Sequence, residues 1–361
     1  MKIAMIAPLV ERVPPKKYGG TERLIHSLTE ELIRRGHKVT LFASGDSLTS
    51  ATLNSVAPKG LRELRIKPLY DVNPPLLQSL GRAFADMKGE FDVIHDSSGY
   101  STLPFAEMSE TPVVMTIHGP ILPAYMPLYR EFRKANLVSI SRDIGSDFGD
   151  LNHIGTVYNG LNMEYYPFSN EHDGYLLYVG RICHDKGTHN AILAAKRLNL
   201  PLIIAAKIEE TEAGHRYFRK YVKPHLNSQI QWVGEVDEEE RNKLMTRAMA
   251  FLHPAPWREP FGLTLIEAMA CGAPVIAFNR GSIPEIIQDG KTGFVVNNVD
   301  ELCDAIRKID TIDRAYTRKY SLENFNEKRM TTGYEEAYKK VIAKQHGAIV
   351  SLIDPKTTAS A

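Results

Sequence analysis

The stretch Gly174-Tyr175-Leu176-Leu177-Tyr178-Val179-Gly180-Arg181-Ile182-Cys183-His184-Asp185-Lys186-Gly187 decides the fold. Its first seven residues form an apolar run of strand length, the pattern of a strand buried on both faces. A loop over 181–187 follows. A helical pattern over 188–198 comes next, and a second apolar run covers 201–206. This succession of strand, loop, helix and strand is the unit of a parallel sheet. The same succession opens the chain. Residues 2–7 read as a buried strand, and a loop containing Pro14, Pro15, Gly19 and Gly20 follows it. Residues 21–35 place Leu24, Ile25, Leu28, Leu32 and Ile33 on one helix face, Gly36 stops the helix, and 38–43 read as the next strand. A doubly wound sheet therefore starts twice, near residue 1 and near residue 174.

Shorter apolar runs extend both sheets: 93–95, 113–117, 137–140 and 155–158 in the first half, and 230–233, 250–253, 274–277 and 293–296 in the second. The polar stretch 159–173 marks the boundary. The expected organisation is one doubly wound domain over 1–159 and a second over 160–326. A closing amphipathic helix over 327–346 and a loosely ordered tail over 347–361 follow. In open parallel sheets ligands sit beyond the carboxyl ends of the strands, so two such domains facing a cleft can bring their loops together.

Composition narrows the function. At 361 residues, two domains are the prior. The formal net charge of +1 offers no polyanion-binding signal, which argues against nucleic acid. Cys183, Cys271 and Cys303 have neither disulfide-framework nor metal-ligand spacing, as reduced cytosolic thiols would not. The N-terminus lacks signal-peptide form and no run of about 18 apolar residues exists, so a cytoplasmic protein is expected. Peripheral contact with the inner membrane face, through Arg62, Arg65 and Lys67, stays open beside the plainer reading of a solvated face.

The chemistry concentrates in Glu259-Pro260-Phe261-Gly262-Leu263-Thr264-Leu265-Ile266-Glu267-Ala268-Met269-Ala270-Cys271-Gly272. Two carboxylates bracket a turn that runs into a helix. The first amides of that helix, at Leu263 and Thr264, can hold an anion because they lack intrahelical partners and sit at the positive end of the dipole. Glu267 lies about one turn inside, on the side expected to face the same ligand. Arg181 and Lys186 flank a loop at a strand end and suit phosphate, although a solvated loop is the competing reading. Gly19-Gly20 lets backbone approach a phosphate, or forms a tight turn and nothing more. His118 ends a buried strand, as ligand contact or as a satisfied structural histidine. His253, Trp257 and Glu285 read equally well as strand-end, capping and helix-start residues.

Arg181, Lys186-Gly187 and the pair Glu259 and Glu267 followed by Ala-Met-Ala-Cys-Gly, with Asp289-Gly290 and Thr292-Gly293-Phe294 downstream, resemble the retaining nucleotide-sugar glycosyltransferases of family 4. The resemblance implies the GT-B fold of two Rossmann-like domains, with the closing helix returning to the first domain. The N-terminal wording around Gly19-Gly20-Thr21-Glu22 is similar to a subgroup of UDP-glucose:tetrahydrobiopterin glucosyltransferases. Carried over, the resemblance gives Gly19 and Gly20 a place beside the diphosphate and His118 a contact with the transferred sugar. Arg181 and Lys186 neutralise the diphosphate. Glu259 holds sugar hydroxyls, and the backbone of Phe261, Gly262, Leu263 and Thr264 surrounds sugar and phosphate. Glu267 binds ribose, and the base lies near Val236. Ala205-Ala206-Lys207 departs from the glycine-containing strand end of many relatives.

The resulting expectation is a retaining hexosyltransferase that moves glucose from UDP-glucose to an unidentified hydroxyl acceptor. No Asp-x-Asp motif is evident, so neither metal nor cofactor is expected. A GDP-mannose-dependent mannosyltransferase, a sugar phosphorylase, a nucleotide-sugar epimerase and a non-catalytic nucleotide-sugar-binding protein are the alternatives.

Overall fold

The computed structural model describes residues 1–16, 19–64 and 73–353. The chain divides into two compact units: Met1–Leu161 with Glu327–Ala361, and Asn162–Asn326. The first carries a seven-stranded, all-parallel sheet. Its strands are β1 (Lys2–Ile6), β2 (Lys38–Phe42), β3 (Thr52–Asn54), β4 (Val93–Asp96), β5 (Val113–Ile117), β6 (Asn136–Ser139) and β7 (His153–Thr156), in the order β3-β2-β1-β4-β5-β6-β7. The second unit carries β8 (Leu176–Ile182), β9 (Leu202–Ile208), β10 (Ile230–Gly234), β11 (Ala250–His253), β12 (Val275–Phe278) and β13 (Gly293–Val296). These pair in the order β10-β9-β8-β11-β12-β13, again all parallel. In each sheet the order reverses beside the first strand, the doubly wound topology that the repeated succession predicts.

The apolar runs explain the central strands. Residues 3–6 of β1 and all of β5, β11 and β12 are buried, as strands covered on both faces must be. Three helices position functional residues in the second unit: α2 (Thr188–Leu198), α3 (Glu238–Arg247) and α4 (Leu263–Ala270). The first unit has α1 (Gly20–Arg34) after β1, and the chain closes with α5 (Glu327–Ile353). The closing helix runs beyond the expected end at 346. The tail reading for 354–361, like Arg65 and Lys67 of the basic group, falls outside the described residues. Arg62 pairs with Glu11 at 2.8 Å, so its charge is already engaged.

The closing helix belongs to the first unit through a polar core as well as an apolar one. Met330, Tyr334, Tyr338 and Val341 are buried on its inner face. The Tyr338 hydroxyl lies 2.6 Å from His95 Nδ1, His95 Nε2 lies 2.7 Å from Thr116 Oγ1, and Thr116 lies 2.8 Å from the Tyr334 hydroxyl. Burial pushes His95 down to about 3, with His118 adding to the effect, so the ring is neutral and a satisfied core link. At the rim, Arg35 and His37 reach Glu335 at 2.8 and 2.7 Å. No helix among the described residues is long and apolar enough to cross a membrane.

Candidate active site

In the second unit, β8 runs further than its apolar pattern predicts. Arg181 therefore stands on the strand, opposite Lys207 of β9, rather than in the following loop. Strand pairing with β9 through Ile208 extends it, which also places Ala205-Ala206-Lys207 inside a strand instead of at its end. Arg181 Nη1 donates to Glu209 Oε1 at 2.7 Å, and its Nε is shielded without a partner among the described residues.

A short turn over His184–Lys186 leads to Gly187, which takes φ +69° before α2 begins. A Cβ there would lie 2.0 Å from the Pro254 carbonyl oxygen, so only glycine allows this approach. The single Tyr178 O–H is shared between the carbonyls of Arg181 and Lys186, at 3.0 and 3.2 Å, and ties the loop down. The close passage of Gly187 against the exit of β11 brings Lys186 to Glu259.

Glu259 is the centre of the arrangement. Its Oε2 receives Lys186 Nζ at 2.6 Å, Trp257 Nε1 at 2.9 Å and His253 Nε2 at 3.1 Å. Lys186 Nζ also sits 4.6 Å from the centre of the Trp257 ring, within cation–π range. The Glu259 carbonyl accepts from Ser282 N at 2.9 Å and Ser282 Oγ at 3.0 Å. Gly281, at φ +64°, passes so close that a Cβ would stand 2.2 Å from that carbonyl oxygen. Burial pushes the Glu259 carboxyl up, but the His253 contact and the Lys186 ammonium outweigh it and hold the group well below the usual carboxylate range. Glu259 is thus a fixed, ionised acceptor.

Helix α4 begins at Leu263, one short turn beyond Glu259. Gly262 precedes it at φ +85°, no side chain caps it, and its first turn holds no acidic residue. Leu263 and Thr264 sit at that uncapped start, half-buried. The Phe261 side chain faces the core against Phe325, ring centres 5.9 Å apart, leaving its backbone at the turn. Glu267 is 1 % exposed, and its Oε1 accepts from the Tyr166 hydroxyl at 2.9 Å and Arg241 Nη2 at 3.0 Å. The two carboxylates have separate sets of donors, as a carboxylate buried inside the helix packing requires. Val236 lies half-buried in the loop between β10 and α3.

In the first unit, Gly19 precedes α1 at φ +155°, and a Cβ on it would meet Pro15 at 2.7 Å and Glu22 Oε2 at 3.0 Å. This packing alone calls for glycine there. Gly20 is the first residue of the helix. His118 follows β5. Its Nε2 is shielded without a partner among the described residues, and burial pushes the ring down to about 4, so it is neutral.

The structure thus brings Lys186 and Glu259 together, with Arg181 on the neighbouring strand end and Leu263 and Thr264 at the adjacent helix start. His253 and Trp257, which the sequence left as strand-end and capping residues, prove to be the partners of Glu259. Arg241, Tyr166 and Glu209 were not singled out at all. The sequence contained one signal: Trp257 and His253 lie two and six residues before Glu259, within reach across a turn.

Two family models match. The model described as "Glycosyltransferase Family 4" covers residues 18–165, and "Glycosyl transferases group 1" covers residues 167–321. Among curated relatives, glycogen synthase of Mycobacterium tuberculosis is 25 % identical over 86 % of this chain and 86 % of its own. Phosphatidyl-myo-inositol mannosyltransferase of Propionibacterium freudenreichii is also 25 % identical, over 80 % of each. Anabaena HepE, solved in complex with UDP-glucose, shares the fold: TM-score 0.71, 17 % identity, 94 % of this chain and 100 % of that one.

Proposed function

The chain belongs to glycosyltransferase family 4, with the two Rossmann-like domains of the GT-B fold, and on that premise we propose that it transfers glucose from UDP-glucose to a hydroxyl acceptor, with retention and without a metal ion. The observation that carries the reading is the convergence of three donors on Glu259 Oε2 beside an uncapped helix start. A carboxylate held ionised cannot deliver a proton to a leaving group. It can accept hydrogen bonds from sugar hydroxyls and fix the ring against the turn. The negative charge that develops on the departing diphosphate falls to Arg181, Lys186 and the first amides of α4, a preorganised electrostatic site. These positive groups supply the charge stabilisation for which other transferases use a divalent ion. An oxygen of the leaving phosphate then takes the acceptor proton.

Glu267, locked by Tyr166 and Arg241, has the rigidity suited to reading the ribose hydroxyls, and Val236 marks the base end. His118 of the first unit is neutral through burial and so able to donate or accept a hydrogen bond, as the sugar contact implied for it by the family resemblance would need. The resemblance to UDP-glucose:tetrahydrobiopterin glucosyltransferases and the UDP-glucose complex of HepE support the donor assignment. GDP-mannose is the second reading, favoured by the mannosyltransferase among the relatives. Mass spectrometry of nucleoside diphosphate release across UDP-glucose, ADP-glucose and GDP-mannose separates them. Release from UDP-glucose is expected. Turnover of GDP-mannose alone transfers the assignment to mannose, and product formation that needs inorganic phosphate makes the enzyme a phosphorylase.

A further inference from the structure

The first unit carries an aromatic surface that the donor chemistry does not use. Tyr100 and Tyr125 lie with ring centres 4.9 Å apart and planes inclined by 33°. They are 45 % and 38 % exposed, and Leu122, three residues before Tyr125, is 53 % exposed. Tyr100 follows the carboxyl end of β4 and Tyr125 that of β5, two neighbouring strands. That edge is where sheets of this topology bind ligands.

The presentation of the two rings is built rather than incidental. Asp96, the last residue of β4, is fully buried and takes Ser98 N at 3.1 Å, Ser98 Oγ at 2.5 Å and Gly99 N at 3.3 Å. These bonds fold the loop, and Gly99 at φ +111° turns it into the short helix that starts at Tyr100. On the other strand, Pro123 opens a second short turn, closed by Tyr125 N donating to the Leu122 carbonyl at 2.8 Å. Close to Tyr100, Tyr129 is buried. Burial, then the proximity of Asp96 and Tyr100, pushes its hydroxyl up to about 12. His118, whose shielded Nε2 has no partner among the described residues, lies on the same strand exit as Tyr125.

We propose that Tyr100 and Tyr125 form an acceptor subsite for a pyranose ring, so that the acceptor is itself a glycoside. This rests on the reading of the chain as a glycosyltransferase and names the acceptor class. A pyranose presents one face of C–H groups and a rim of hydroxyls. Tyrosine rings offer an apolar face for the first and a phenol for the second, at low cost in side-chain entropy. A lipid surface fits less well, because it calls for free cations around the aromatic patch. The charges that follow are balanced instead: Arg130, Arg133 and Lys134 stand with Glu131, Asp150 and Glu107, Asp150 contacting both arginines at 3.3 and 3.0 Å and the Glu107 carboxylate accepting from Lys134 N at 3.0 Å.

Saturation-transfer NMR on the full chain with maltose, cellobiose and lactose tests the subsite without donor. At least one sugar is expected to bind through its ring C–H protons. Y100A/Y125A should weaken that binding by about tenfold, and Y100F/Y125F, which keeps the stacking faces, should retain most of it. Y125A alone serves if the double alanine variant does not melt cooperatively. Y165A, at a residue 84 % exposed elsewhere, controls for loss of any surface tyrosine. Equal binding by Y125A and wild type overturns the proposal. So does binding of none of the three sugars, or pelleting of the wild type, but not the variant, with phosphatidylglycerol vesicles. Wild-type nucleoside diphosphate release is measured separately. Its absence from every donor removes the transferase reading and leaves the sugar-binding result to stand or fall by itself.

Discussion

Lys186→Ala is the most searching perturbation. The ammonium lies 2.6 Å from Glu259 Oε2 and 4.6 Å from the Trp257 ring, with its side chain 18 % exposed and that of Glu259 9 %. Removing one partner of a well-buried ion pair costs about 3–5 kcal/mol, because the other charge is left uncompensated. Here Glu259 keeps Trp257 and His253 on the same oxygen. The stability loss should therefore fall below that range, to about 2 kcal/mol, and the variant should still fold. The catalytic loss is larger. If Lys186 meets the diphosphate charge in the transition state, its removal should lower transfer by a factor on the order of 10²–10³. Lys186→Arg keeps the charge but replaces a compact ammonium with a planar fork, and should recover only part of the rate. Glu259 remains ionised far into acid, so the deficit should be the same at about pH 6 and about pH 8. The assay is nucleoside diphosphate release under saturating donor, paired with a thermal melt of each variant. Turnover by K186A within about threefold of wild type, with a normal melt, would refute the assignment of Lys186 to the leaving group, since a spectator cation costs no more than that.

Two further outcomes concern the metal-free proposal and a buried acid in the first unit. Transfer should survive EDTA without loss, and strict dependence on added Mg²⁺ or Mn²⁺ would remove the metal-free proposal. Glu22, 6 % exposed at the start of α1, has its carboxyl pushed by burial from 4.5 to about 7. A raised acid costs nothing below its unfolded value, and the cost builds as pH rises through that window and then stays constant. Glu22→Gln should therefore stabilise the chain by up to about 3 kcal/mol above neutrality and leave it unchanged near pH 4, as denaturant melts at the two pH values would register.

The repeated strand, loop and helix were legible because a parallel sheet writes its buried strands as unbroken apolar runs, as in 2–7 and 174–180. The ends of those strands were not. Arg181 lies on β8 only because β9 continues beside it to Ile208, a pairing between segments far apart in sequence that no local pattern records. Glu259 and Lys186 were legible as chemistry but not as a contact. Their meeting depends on Gly187 passing the Pro254 carbonyl, a tertiary approach visible in sequence only as one glycine among 25. His253 and Trp257 stayed ambiguous for the same reason: a histidine at a strand end and a tryptophan in a loop acquire a role only when a buried carboxylate faces them. Arg241 and Tyr166 gave no signal, since a charged helix residue and a boundary tyrosine are ordinary until Glu267 turns inward between them.

The contrast between the two carboxylates carries the mechanism further than the motif alone. Paired acids with seven residues between them invite an acid–base reading, in which one member must hold a proton near neutral pH. Glu259 cannot be that member, because a cation and two further donors converge on one of its oxygens and favour the ionised form. Glu267 is 1 % exposed and its Oε1 is taken up by Tyr166 and Arg241, so it is not placed to hand a proton to a leaving group. With neither placed to deliver a proton, activation of the leaving group must come from charge stabilisation. Under the proposed function that task falls to Arg181, to Lys186 and to a helix start that carries no capping side chain and no acid of its own. A site working in that way would select a leaving group able to carry its own negative charge, which a diphosphate can do and a simple alkoxide cannot.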